Sequence, residues 1–306
     1  MHNQNDRAEF NSLTGASLDS TGTQNKASSQ QDSNRRQFLQ SALGVGFAAA
    51  ALPVCAQTML RTPTTGLSEQ RLQIEVDGQA VPVYSVRPEG KQNLPVILVV
   101  SEIFGVHEHI ADVARRFAQL GYLALAPDLF VRQGDASKYA SVAELIKEVI
   151  AKVPDAQVMR DLDAVLAWAD THGGDLKRVG ITGFCWGGRI TWMYAAHNPA
   201  IKAGVAWYGR LVGEANALSP QHPVDIAAAL KVPVLGLYGA KDTGISLDSI
   251  AKMEAALAKG SSHSLFKVYE NSGHAFHADY RPSYVEADAK DGWKACVAWL
   301  KANGAG

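Results

Sequence analysis

An α/β class protein with a mainly parallel central sheet and helices on both faces is what this sequence predicts, on three observations. Short continuous apolar runs such as Leu94–Val100 recur along the chain, the form taken by strands buried on both faces. Between them lie longer stretches with helical periodicity, so strand and helix patterns alternate. One glycine-rich turn, Gly183-Phe184-Cys185-Trp186-Gly187, falls where a strand pattern gives way to a helix pattern.

The first 56 of the 306 residues stand apart from that pattern. Residues 1–34 are rich in Asn, Gln, Ser, Thr and Asp and hold little that folding would bury. Arg35-Arg36 then precede an uncharged apolar run over residues 42–54, too short to span a membrane. An arginine pair before a short Ala- and Gly-rich segment is the layout of a twin-arginine export signal. Val54 and Ala56 suit cleavage before Gln57, which predicts a leader over 1–56 and a single domain over 57–306. A buried helix over residues 41–54 fits poorly between a polar tail and irregular sequence, and Val54 is bulky for lipid attachment at Cys55. The expectation is export by the twin-arginine machinery, after folding, to the periplasm or beyond the cell.

About 250 residues then remain, enough for one α/β domain with a sizeable core. A formal charge of −1 without a basic block gives no support for nucleic acid binding. Only Cys185 and Cys296 are left after cleavage, which makes no disulfide scaffold.

Each element has its own signal. Residues 71–77 and 81–86, joined by Gly78-Gln79-Ala80, read as an antiparallel edge hairpin. After the Leu94–Val100 strand, Ile110, Val113, Ala114, Phe117 and Leu120 mark a helix face that Gly121 ends. Residues 122–126 form the next strand, and helices over 141–151 and 155–170 follow, the second turning Val158, Leu162, Val165 and Leu166 inward. The elbow strand over 179–182 and its helix over 189–196 come next, then strands over 202–207, 232–238 and 266–270. A helix with Ile250, Met253 and Leu257 inward precedes the last strand, and a final helix over 284–301 turns Ala289, Trp293, Cys296 and Leu300 to the core.

The turn at Cys185 has the form of a nucleophile elbow carrying a thiol. The helix start behind the sulfur aims free N–H groups at it, which favours a thiolate and can hold an oxyanion. In such a sheet, ligands sit beyond the carboxyl ends of the strands, so polar residues just after strands are the candidates. Asp242 and His274 follow two later strands, giving the order thiol, acid, histidine. Their rivals are Asp248, inside the next helix, and His277. Glu102 closes the Leu94–Val100 strand beside the same mouth, and the N–H groups of Ile103 and Trp186 are placed to form an oxyanion hole. Arg132 is the cation near a strand end that suits a substrate carboxylate, with a salt bridge to Asp128 or Asp135 as its structural alternative. Trp186, Trp207, Tyr208 and Phe276 are candidates for an apolar pocket wall. His107 and His109 lack a third metal ligand in sequence, and a redox role wants a resolving cysteine that Cys296, in the last helix, does not supply.

Taken together, Glu102-Ile103-Phe104-Gly105, Pro127-Asp128-Leu129-Phe130, Gly183 to Gly188, Tyr208-Gly209, Gly239 to Asp242 and Gly273-His274 resemble the dienelactone hydrolase (carboxymethylenebutenolidase) family. The resemblance implies an α/β-hydrolase fold, lactone or ester hydrolysis without metal or organic cofactor, and Cys185, Asp242 and His274 as the triad. It further implies that Glu102 holds the resting thiol and that Arg132 grips a substrate carboxylate. The chain departs from the family's pattern in lacking a second arginine shortly after the histidine, a place that His277 or Arg281 is left to fill. A broader carboxylesterase, a thioesterase and a non-catalytic ligand-binding relative are the alternative readings.

Overall fold

The computed structural model describes residues 59–306, so the expected leader over 1–56 lies outside the described residues. The hairpin forms as its sequence requires: β1 (Leu67–Val76) and β2 (Gln79–Pro88) pair antiparallel from Leu67↔Pro88 to Val76↔Gln79. Asp77 and Gly78 between them both have positive φ, 53° and 76°, the mirror-image turn that matches strand twist.

The hairpin edges an eight-stranded sheet of order β1-β2-β4-β3-β5-β6-β7-β8. β2 meets β4 (Leu123–Pro127) antiparallel, and from β4 onward every neighbour is parallel. β3 (Leu94–Val100) lies between β4 and β5 (Gly174–Phe184), and all seven of its residues are buried. This is why its sequence is a continuous apolar run and does not alternate. β6 (Ile201–Trp207), β7 (Val234–Gly239) and β8 (Leu265–Tyr269) complete the parallel set.

Helices flank both faces. α1 (Glu108–Gln119) buries Ile110, Val113, Ala114 and Phe117, and Gly121 follows its end at φ 98°, a conformation a side chain would oppose. The ring of Phe117 meets Trp293 of α7 (Glu286–Ala302) at 4.7 Å, which joins the first and last helices. α3 (Asp155–Thr171) and α4 (Trp186–His197) are joined by Tyr194 donating to Asp163 at 2.8 Å. α6 (Leu247–Leu257) turns Ile250, Met253 and Leu257 inward, as expected. Cys296 is fully buried and burial pushes its thiol pKa up, which leaves it unreactive.

Three elements differ from expectation. The helix predicted over 141–151 is α2 (Val142–Glu148) followed by a 3₁₀ turn, Ile150–Lys152, because Val149 leaves helical geometry at φ −120° and Pro154 has no N–H to extend a helix. β5 begins already at Gly174, but its first five residues are not buried and include Asp175, Lys177 and Arg178, so the apolar pattern marks only its second half. A short helix, α5 (Pro223–Ile226), lies between β6 and β7, started by reciprocal hydrogen bonds of His222 and Asp225. Among the described residues no helix is long and apolar enough to cross a membrane.

Candidate active site

Cys185 sits between β5 and α4 at φ 55°, a left-handed conformation rare for a residue with a side chain and costing about 1–3 kcal/mol. The surroundings hold it there. Its N–H donates to Trp207 O at 3.0 Å, tying the turn to the end of β6. A Cβ on Gly183 would collide with the Gly187 carbonyl, and one on Gly187 with the carbonyls of Val100 and Ser101. These two glycines therefore permit a contact between backbones that no larger residue allows. α4 starts on Trp186, so the N–H groups of its first turn lie directly behind the sulfur. The Gly187 contact brings that turn against the end of β3, next to the loop that carries Ile103.

Asp242 and His274 extend from the ends of β7 and β8, and His274 shares a cavity wall with the thiol. Their loops are tied together by Ala240 N–H to Tyr269 O and Lys241 N–H to Ser272 O, each 2.9 Å. His274 Nδ1 lies 2.8 Å from Asp242 Oδ2, and the other oxygen of Asp242 accepts the N–H groups of Gly244 at 2.8 Å and Ile245 at 3.1 Å. Burial opposes a charge on His274, but the Cys185 sulfur, together with the hydrogen bonds from Asp242 and Cys185, outweighs it and lifts the imidazole to about 10 from 6.5. The two rivals lie elsewhere. Asp248 pairs with Lys252 at 2.8 Å, and His277 is buried against Trp207 and Phe184, where desolvation lowers its pKa well below the usual value.

Glu102 is 1 % exposed, yet its surroundings favour the carboxylate. Burial favours its neutral form, but the His107 hydrogen bond and the electrostatic influence of His107, His109 and Arg281 prevail and hold the carboxyl at about 2. His107 Nε2 donates to Oε2 at 3.1 Å and Tyr280 Oη donates to Oε1 at 3.3 Å. Arg281 lies over the Phe104 ring at 4.6 Å, and it shares with Glu102, Ile103, Cys185 and His274 the lining of a small void behind the thiol. His107 was legible only as half of a histidine pair, and Tyr280 carried no signal at all.

The open side of the thiol is a cavity of about 280 Å³. Cys185, His274, Ile103, Trp186 and Tyr208 line it, as their strand-end positions lead one to expect. Tyr208, fully buried and at φ 38°, stands edge-on to the His274 ring at 5.2 Å. Arg132 is not in the lining. Its guanidinium donates to Asp161 at 2.7 Å and to Val76 O at 2.8 Å, which braces α3 against the end of β1, and neither Asp128 nor Asp135 is its partner. Phe276 is not there either: Ala275 at φ 61° turns the chain so that Phe276 packs in the core on Tyr269 at 5.0 Å and Trp207 at 6.0 Å. Trp207 is itself fully buried, donating to Thr182 at 3.1 Å.

A mainly parallel sheet with a nucleophile-elbow turn at the end of a central strand defines an α/β-hydrolase. The family model described as "Dienelactone hydrolase family" matches residues 81–304, and the chain belongs to that family. It is 54% identical over 272 residues to a "Putative carboxymethylenebutenolidase" of Methylorubrum extorquens, covering 89% of this chain and 94% of that one. A protein of the same name from Escherichia coli K12 is 50% identical over 260 residues, covering 85% and 96%. The crystal structure of a "Putative Dienelactone Hydrolase" from Klebsiella pneumoniae superposes with a TM-score of 0.76 at 55% identity, covering 77% of this chain and 98% of that one. The protein is thus a carboxylic ester hydrolase of the dienelactone hydrolase kind.

Proposed function

We propose that the protein opens a carboxylic ester or lactone through an acyl-thiol intermediate on Cys185, with His274 and Asp242 completing the relay. The observation that carries this reading is a single histidine whose Nδ1 is hydrogen-bonded to a buried carboxylate and which lines the same cavity as the strand-end thiol, whose sulfur raises its pKa. With its imidazole raised to about 10, His274 already holds the thiol proton at neutral pH, so the thiolate sulfur attacks the carbonyl carbon, and the N–H groups of Ile103 and Trp186 receive the oxyanion. Collapse of the adduct breaks the carbon–oxygen ester bond, and the leaving oxygen takes the proton from His274. Water, deprotonated by the same imidazole, then attacks the acyl carbon, releasing the acid and restoring the thiol. Glu102 serves here as a standing negative charge beside the thiol, held by His107 and Tyr280, and not as the store for its proton. Tyr208 forms part of the substrate wall. The names of the relatives favour a lactone over a simple ester.

Mass spectrometry of the protein quenched during turnover of a slow ester tests this: the acyl group is expected on the peptide holding Cys185, and Cys185→Ala is expected to abolish turnover with the fold intact. Near wild-type turnover by Cys185→Ala would assign the reaction to another nucleophile. Export is proposed on Arg35-Arg36 and the apolar run after it, and amino-terminal sequencing of the native protein is expected to begin near Gln57. A cytoplasmic product that retains residues 1–56 ends that reading.

A further inference from the structure

The cleft continues well beyond the thiol. From Cys185 and His274 the cavity of about 280 Å³ runs along an apolar wall that includes Ile146, Ile150 and Ile245 to Arg210. A second cavity, of about 240 Å³, shares Arg210, Gly244 and Ile245 with the first and extends to Asp248 and Lys252. Arg210 therefore stands at the neck between the two, just past the end of β6 on the stretch that opens with Tyr208.

Three lysine or arginine side chains line the combined cleft, and two of them are neutralised. Arg189 forks onto both oxygens of Asp155, each at 2.7 Å, and Lys252 pairs with Asp248 at 2.8 Å. Arg210 is exposed and makes no ion pair or side-chain hydrogen bond with another described residue. The polar groups beside it are committed within their own loop: Asn216 Oδ1 accepts the N–H groups of Leu218 and Ser219, and His222 Nε2 contacts Glu214 O at 3.0 Å. Of the carboxylates in the lining, Asp248 is held by Lys252, so Glu214 is the one that opposes an anion at the neck.

We propose that Arg210 binds an anionic group at the far end of the substrate and so selects esters or lactones in which an apolar body separates the scissile carbonyl from a terminal carboxylate. The inference rests on ester cleavage at Cys185, as read above. The isoleucine wall buries the apolar body, while the planar guanidinium donates to two carboxylate oxygens at once. Arg132, held by Asp161 outside the cleft, has no part in it. Glu214 acts against the same anion, so its removal strengthens the preference.

Two nitrophenyl esters of equal chain length provide the test, a glutarate monoester ending in a carboxylate and the neutral valerate. Wild type is expected to favour the glutarate ester at low ionic strength and to lose part of that preference in high salt, because Arg210 is exposed. Arg210→Gln lowers the glutarate-to-valerate ratio of kcat/KM by about tenfold or more, Glu214→Gln raises it, and Arg132→Gln leaves it in place. A ratio in Arg210→Gln within about twofold of wild type, or an equal loss in Arg132→Gln, overturns the assignment. A binding readout separates this from the catalytic reading. Glutaranilic acid, the corresponding anilide, is expected to slow alkylation of Cys185 by neutral iodoacetamide in wild type and much less in Arg210→Gln. Equal protection in both proteins overturns the Arg210 assignment alone, and turnover by Cys185→Ala overturns the acyl-thiol reading alone.

Discussion

Asp242→Asn probes the proposed proton relay most sharply, because the two oxygens of Asp242 do different work. Oδ1 accepts the N–H groups of Gly244 and Ile245, while Oδ2 faces His274 Nδ1. A carboxamide has one acceptor oxygen and one donor nitrogen. The two backbone amides claim the oxygen, so the NH₂ group is turned toward His274. His274 must then present a bare Nδ1 and carry its proton on Nε2, the side that faces the thiol. In that tautomer the ring cannot accept the thiol proton. The charge is lost as well. Raising His274 to about 10 from 6.5 amounts to about 5 kcal/mol of preference for the imidazolium, shared between Cys185, the larger contributor, and Asp242. A share of about 2 kcal/mol lost with the charge slows the reaction roughly thirtyfold. The tautomer penalty comes on top, and the total falls on the order of a thousandfold to ten-thousandfold. Asp242→Ala frees the tautomer and should lose less activity than Asn, while loosening the 242–245 turn and lowering the melting temperature. The assay is kcat/KM on a neutral nitrophenyl ester, with thermal melts to confirm the fold. If Asn retains more than about a tenth of wild-type activity, or Ala is the worse of the two, the tautomer argument is wrong.

Gly187→Ala drives a methyl group into the carbonyls of Val100 and Ser101; a loss of about 2–3 kcal/mol in urea unfolding is expected, and a wild-type midpoint contradicts the close packing of the elbow. His107→Leu removes the hydrogen bond that holds Glu102 near 2. A carboxyl with a depressed folded pKa contributes stability above its unfolded value of about 4.5 that is lost as pH falls towards about 2, so in the variant the contribution is smaller and its loss is complete at higher pH. Acid-unfolding curves that superpose with wild type refute that role. Arg132→Gln strands the Asp161 carboxylate, 1 % exposed, at a cost of about 3 kcal/mol; unchanged stability would show that the brace contributes nothing.

The parallel strands were legible because strands covered on both faces are written as unbroken apolar runs, and the elbow because it needs glycine on either side of the nucleophile. The meeting of Asp242 with His274 was legible because both follow neighbouring parallel strands, whose ends lie side by side. Arg132 shows where that logic stops. It too follows a strand, but its direction is set by Asp161, 29 residues away on α3, and no local pattern encodes that pairing. Phe276 fails for a different reason: one positive φ at Ala275 redirects the chain, and the sequence offers no glycine there to announce it. His107 was visible as a histidine, but its use depends on Glu102 and Tyr280, the latter 173 residues distant.

The contacts of Glu102 also bear on how the molecule comes into being. Its partner Tyr280 lies 178 residues further along the chain, so the charge pattern beside the thiol exists only when nearly the whole sheet has closed. Contacts between residues so distant in sequence form late. A nascent chain that has already made Cys185, but not yet Asp242 or His274, lacks the two residues proposed to complete its relay. On the proposed relay, chemical competence arrives only with the chain that follows the last strand, and the rate at which Cys185 becomes reactive during refolding is then a clock for completion of the fold.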